Sequence, residues 1–182
     1  IITSNISHLF SNIITERQHG FCRGRSTTSN LLLYQSALLD ALERRSQMDS
    51  VYTDFSKAFD RVNHCILLAK LKALGVCGSL LGWISHYLMN RSQIITLGKD
   101  FTSYAIDVTS GVPQGGHLSP LLFNIYINDI VDNIKHSRIL LFADDVKLFC
   151  EVRSVDDCRC LQVDLHEIEL WCERNAMEFE LS

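Results

Sequence analysis

Between Leu140 and Phe149 the chain reads LLFADDVKLF, and no other stretch limits its possible folds so sharply. Two apolar runs of strand character, RILLFA and VKLFCEV, meet at adjacent carboxylates, Asp144 and Asp145. Two unit charges about 4 Å apart repel by roughly 4 kcal/mol at an effective dielectric near 20, and burial costs each carboxylate several kcal/mol more. A strand cannot carry such a pair through a core. The pattern predicts a tight β-hairpin with both carboxylates at its turn, where a positive charge can compensate them.

With 182 residues, 47% of them hydrophobic, only two prolines and no low-complexity run, the chain predicts one globular domain. Its apolar runs are too short and interrupted to cross a bilayer, and IITSNISHLF lacks the regions of a signal peptide. A protein with no membrane association, inside the cell, is expected. The first residue is isoleucine, which suggests a piece of a longer polypeptide. Seven cysteines, an odd number without a CxxC pair, point to free thiols in a reducing compartment. Cys158–Cys160 with His166 and Cys172 invites a metal reading, but Cys158, Leu161, Leu165 and Ile168 fit the apolar stripe of a helix. A net charge of −4 argues against a nucleic-acid binder working by bulk charge alone.

Along the chain, Ile6, Leu9, Phe10, Ile13 and Ile14 have helical spacing, and QHGFCRGRST follows as a polar, glycine-punctuated loop. Thr28 is a candidate N-cap for a helix with Leu31, Tyr34, Leu38, Ala41 and Leu42 on one face. SVYTDF predicts a strand ending at an acid, and Asn63 and Gly75 bracket the helix after it. SLLGWISHYLMN predicts a helix, SQIITLG and SYAIDVTSG a hairpin, and PLLFNIYINDIVDNI a helix beginning at Pro120. Ser154 with Asp157 resembles a capping box for a helix through Trp171, and AMEFEL a final strand. Helices on one face of a mainly antiparallel sheet, an α+β fold, are expected.

Three acids therefore stand at strand ends: Asp54, Asp144 and Asp145. If their strands are neighbours, the carboxylates converge as hard oxygen ligands suited to Mg²⁺, and two ions about 4 Å apart form a clamp for in-line phosphoryl displacement. Each acid alone reads equally well as a turn or cap residue. Both prolines lie in SGVPQGGHLSP, whose glycines allow close backbone approach; it can cradle a substrate strand or be a rigid turn.

VYTDFSKAFDRVNH, SGVPQGGHLSPLLFNIYINDI and FADD, in that order, resemble motifs A, B and C of reverse transcriptases. QHGFCRGRST before them and LHEIELWCERNAMEFELS after them narrow the resemblance to non-LTR (LINE-type) retrotransposon enzymes, over nearly the whole chain. The resemblance implies a right-hand polymerase palm with part of the fingers: residues 1–48 on the fingers side, 49–182 the palm, with thumb and endonuclease absent. It implies two Mg²⁺ ions, with Mn²⁺ as a substitute, held by Asp54, Asp144, Asp145 and the carbonyl of Phe55. Backbone amides near Lys57 and Ala58 would meet the triphosphate, and Phe59 matches the aromatic steric gate that excludes a ribose 2′-hydroxyl. Gln114 and Gly115 match motif B residues beside the incoming nucleotide; Arg23 and Arg25 are phosphate contacts or part of a solvated loop. Asp60 reads as structural, near a helix start.

The implied partners are an RNA template, a DNA primer and deoxynucleotides, with insertion in the nucleus and a cytoplasmic ribonucleoprotein stage. A group II intron type reverse transcriptase and a folded but inert fragment are the alternatives. The family usually has serine after the motif B QG, where this chain has Gly116 and then His117. A basic fingers motif and a lysine are expected outside Ile1–Ser182, which would explain an acidic core in a nucleic-acid enzyme.

Overall fold

A computed structural model describes residues 10, 12–98 and 101–180. The expected first helix lies mostly outside them; Phe10 and Ile14 at its end are buried in the main core. The helices are α1 (Thr27–Glu43), α2 (Ala58–Arg61), α3 (His64–Ala73), α4 (Gly78–Leu88), α5 (Ser119–Ile127) and α6 (Val155–Arg174). The strands are β1 (Gln47–Thr53), β2 (Arg91–Gln93), β3 (Thr96–Leu97), β4 (Phe101–Thr102), β5 (Ile106–Val108), β6 (Arg138–Phe142) and β7 (Asp145–Val152).

β7 lies between β1 and β6 in a three-stranded antiparallel sheet. The LLFADDVKLF hairpin forms as expected, with Phe142 opposite Asp145 across a two-residue turn. Alternation along the strands divides the sheet into two faces. Ile139, Leu141, Val146 and Leu148 point into the main core with Leu67, Phe123, Ile168 and Trp171 from the helices. Leu140 and Phe149 point the other way, where Ala37 of α1 covers them and Tyr34 meets Phe149 edge-on at 5.1 Å. The expected layer of helices is thus present, and α1 adds cover on the opposite face.

α1 is capped by Ser26 in a capping box with Ser29, not by Thr28. Its buried positions are Asn30, Ala37 and Ala41, whereas Leu31 and Leu42 are 56% and 59% exposed. The buried face is displaced from the leucine stripe because small residues allow close approach to the sheet, and Asn30 Nδ2 donates to the Leu141 carbonyl at 3.0 Å. α3 starts and stops as expected, with the Asn63 side chain accepting from Ile66 N and Gly75 at φ +87°. The expected 120–134 helix ends at Ile127 and continues as a 3-10 helix, Asn128–Asn133.

The Ser154–Asp157 capping box is present and α6 runs on to Arg174. Cys158 is exposed, and the buried stripe is Leu161, Asp164, Ile168, Trp171 and Cys172. The hairpin after α4 is split into two short ladders, β2–β5 and β3–β4. The expected last strand reduces to a bridge between Phe55 and Phe179. All seven cysteines are free thiols. Among the described residues, no helix is long and apolar enough to cross a membrane.

Candidate active site

Asp54 follows β1 directly, and because Thr53 pairs with Val146, it lies at the strand end beside Asp145. Asp144 occupies the β6–β7 turn after Ala143, a non-glycine residue at φ +54°. The sheet register therefore brings the three acids to one end of the sheet, with Asp144 half-buried and Asp54 and Asp145 exposed. Burial pushes the Asp144 carboxyl above the ordinary aspartate range, and the charges of Asp54 and Asp145 add to this against the hydrogen bond from its own N–H. Asp145 is pushed up by burial and then by Asp54.

Among the described residues, no ion pair engages any of the three acids. Nor is any group of three or more His, Cys, Asp or Glu side chains closed tightly enough there to hold a metal ion. The aspartates are thus near enough to repel and are not drawn into one shell. An unbalanced carboxylate set of this kind fits divalent cations, which favour oxygen ligands and remove the repulsion.

The segment after Asp54 is anchored from below. Phe55 is buried, stacked on Phe179 at 5.1 Å and tilted against Trp171 at 6.1 Å. Glu180 N donates to the Asp54 carbonyl and Ser56 N to the Glu178 carbonyl, each at 2.9 Å. Lys57 is exposed in a left-handed conformation, φ +49°, ahead of buried Ala58 at the start of α2. Phe59 stacks on Phe123 at 4.4 Å and meets the edge of Phe21 at 6.2 Å. With Gln114, Gly115 and His117, it lines a cavity of about 480 Å³.

The motif B loop is docked on α2. Gly111 N donates to the Val62 carbonyl at 2.8 Å and Val112 N to that of Phe59 at 2.9 Å. Gly111, at φ +86°, has no room for a Cβ, which would stand 2.9 Å from the Asp60 backbone. Gln114 Nε2 donates to the Asp60 carboxylate at 3.2 Å, so Asp60 holds the glutamine, a contact absent from the sequence reading. At Gly116 a Cβ would lie 2.5 Å from the Tyr87 hydroxyl, which occupies the space a serine at that position needs. Arg23 is exposed, whereas Arg25 Nη1 donates to the carbonyls of Thr15 and Gln18 at 2.6 and 2.7 Å. Both line a second cavity of about 480 Å³ with His117.

All 182 residues match the family described as reverse transcriptase (RNA-dependent DNA polymerase). A probable RNA-directed DNA polymerase from the transposon BS of Drosophila melanogaster is 28% identical, covering 93% of this chain and 20% of the relative. The corresponding protein of the X-element, from the same organism, is 32% identical over 74% of this chain and 15% of its own length. The Pol polyprotein of a type-1 retrotransposable element R2 from Popillia japonica is 27% identical, covering 81% and 24%. The chain thus spans about a fifth of the curated relatives it matches. In fold it is similar to the Candida albicans telomerase solved with a fragment of telomeric RNA: TM-score 0.72 at 12% identity, covering 98% of this chain and 34% of that one. The chain belongs to the reverse transcriptase family, and these relatives bear out its resemblance to the non-LTR retrotransposon enzymes.

Proposed function

We propose that this chain carries the catalytic centre of an RNA-directed DNA polymerase that extends a primer 3′-hydroxyl with deoxynucleotides on an RNA template. The observation that carries the reading is the convergence of Asp54, Asp144 and Asp145 at one sheet end, unpaired with any cation among the described residues. These carboxylates and the Phe55 carbonyl would hold two Mg²⁺ ions, or Mn²⁺ in their place. Such ions, when bound, acidify the attacking hydroxyl and balance charge on the pyrophosphate.

The remaining roles belong to the chain. Phe59, fixed by its stack on Phe123, presents a rigid edge to the sugar of the incoming nucleotide. Gln114, oriented by Asp60, and Gly115 face the nucleotide across the same cavity. Backbone amides at Lys57 and Ala58 meet the triphosphate, and Arg23, with the exposed part of Arg25, meets nucleic-acid phosphates. The product is placed in the nucleus by insertion into a target, after a cytoplasmic ribonucleoprotein stage.

The test is primer extension on poly-rA/oligo-dT with Mg²⁺, using the chain as given and a longer polypeptide in which it is extended at both ends toward the length of its relatives. Asp144→Asn should abolish extension, and Phe59→Val should admit ribonucleotides. Extension unchanged by Asp144→Asn sinks the reading; a Phe59→Val enzyme that still excludes ribonucleotides removes the gate assignment alone.

A further inference from the structure

Residues 17–20 run along the edge of β6, remote in sequence from the acids yet tied to their turn. Leu141 N donates to the Arg17 carbonyl and His19 N to the Leu141 carbonyl, each at 2.9 Å, forming a parallel bridge at Gln18. The ladder cannot continue past Phe142 because Ala143 turns away at φ +54°. The Gln18 side chain takes over there. Its Oε1 accepts from Ala143 N at 2.9 Å and from Gly20 N at 2.7 Å, while its Nε2 donates to the Ala143 carbonyl at 3.1 Å.

One amide thus satisfies both backbone groups of the residue directly before Asp144. Its orientation is fixed, since exchanging oxygen and nitrogen would set an NH₂ against two N–H donors. Gln18 is 1% exposed, so water cannot replace it. The segment is itself held: Asn124 Nδ2 from α5 donates to the Gly20 carbonyl at 2.8 Å, and a Cβ on Gly20 would fall on the Ala143 backbone. A left-handed alanine persists only where its surroundings over-determine it.

We propose that Gln18 is a positioning residue for catalysis: by clamping Ala143 it sets the direction in which Asp144 leaves the β6–β7 turn. The proposal rests on the polymerase reading above. In the longer polypeptide, Gln18→Met keeps the side-chain length and removes all three hydrogen bonds. It should lower kcat by about 10- to 100-fold, as expected for a displacement near 1 Å at a reacting centre, with KM for deoxynucleotide little changed. The Mg²⁺ concentration for half-maximal rate should rise.

Ala143→Gly makes the left-handed turn free of strain, so the loss caused by Gln18→Met should shrink in that background. Asp164→Asn, which disturbs a buried anchor away from the site, should lower the melting temperature without moving the Mg²⁺ midpoint. The proposal is overturned if Gln18→Met behaves like Asp164→Asn, or if its loss is the same with Gly at position 143. A parent polypeptide without activity overturns this proposal and the polymerase reading together; an active parent indifferent to Gln18→Met overturns this one alone.

Discussion

Asp144 stands half-buried in the β6–β7 turn with two carboxylates beside it and, among the described residues, no ion pair. Burial and two neighbouring carboxylates raise its pKa in the folded protein, so the native state binds its proton more tightly than the unfolded chain does. The metal-free fold is therefore favoured at low pH and loses stability as pH rises from the ordinary aspartate range through the raised one. Asp144→Asn should raise the melting temperature in EDTA at pH 7 by roughly 1–3 °C, a partly exposed repulsion being worth about 1 kcal/mol or less. The gain should vanish below the ordinary aspartate range, and Mg²⁺ should stabilise the parent more than the variant; a variant no more stable at pH 7 would mean that the repulsion is already relieved. Gly116→Ser, the residue that the motif B resemblance implies at this position, should cost about 1–3 kcal/mol by crowding the Tyr87 hydroxyl, and Tyr87→Phe should recover part of that loss in thermal melts. The three acids were legible in the sequence because carboxylates interrupt apolar runs. Gln18 and Asp60 were not, because their partners, Ala143 and Gln114, lie 125 and 54 positions away and only the fold supplies them.

At the scale of elements, the caps of α3 and α6 were readable, that of α1 was placed two residues late at Thr28 instead of Ser26, and buried faces were less legible. Asn63, Gly75 and the Ser154–Asp157 box act locally, so their signals survive without tertiary context. Apolar spacing finds Leu161, Leu165 and Ile168 on the core side of α6 and Ala41 on that of α1, but on each helix it passes over a polar residue that is buried for its hydrogen bonds. On α6 that residue is Asp164, which is fully buried and accepts from the N–H groups of Lys135 and His136 at 3.0 Å and of Ser137 at 2.5 Å. Burial pushes its pKa up, and the N–H donors outweigh this and hold it below the usual value. The folded pKa is depressed, so the stabilisation is present above the unfolded value and is lost as pH falls through the folded one. Asp164→Ala leaves three N–H donors unmet and should cost about 2–4 kcal/mol, roughly a 5–15 °C fall in melting temperature. The deficit should narrow in acid, and a melting temperature within 2 °C of the parent at pH 7, against the ~5 °C expected, would show that the loop before β6 does not depend on this anchor.

For the molecule as a whole, a net charge of −4 constrains how nucleic acid is held. Each phosphate neutralised by a basic side chain contributes about −0.9 to the slope of log K against log salt on a duplex. Of the two arginines in QHGFCRGRST, Arg23 is exposed, whereas Arg25 spends its Nη1 on two backbone carbonyls. Their outcomes should therefore differ. In the longer polypeptide bound to an RNA–DNA template-primer, Arg23→Gln should lower the magnitude of the salt slope by about 1 and leave the melting temperature unchanged. Arg25→Gln should lower the melting temperature, because it frees the carbonyls of Thr15 and Gln18, and change the slope by less than Arg23→Gln does. Replacing both should remove no more than about 2 from the slope. Most of a steep slope would then belong to basic side chains other than these two; a larger drop would place the phosphate grip within the loop itself.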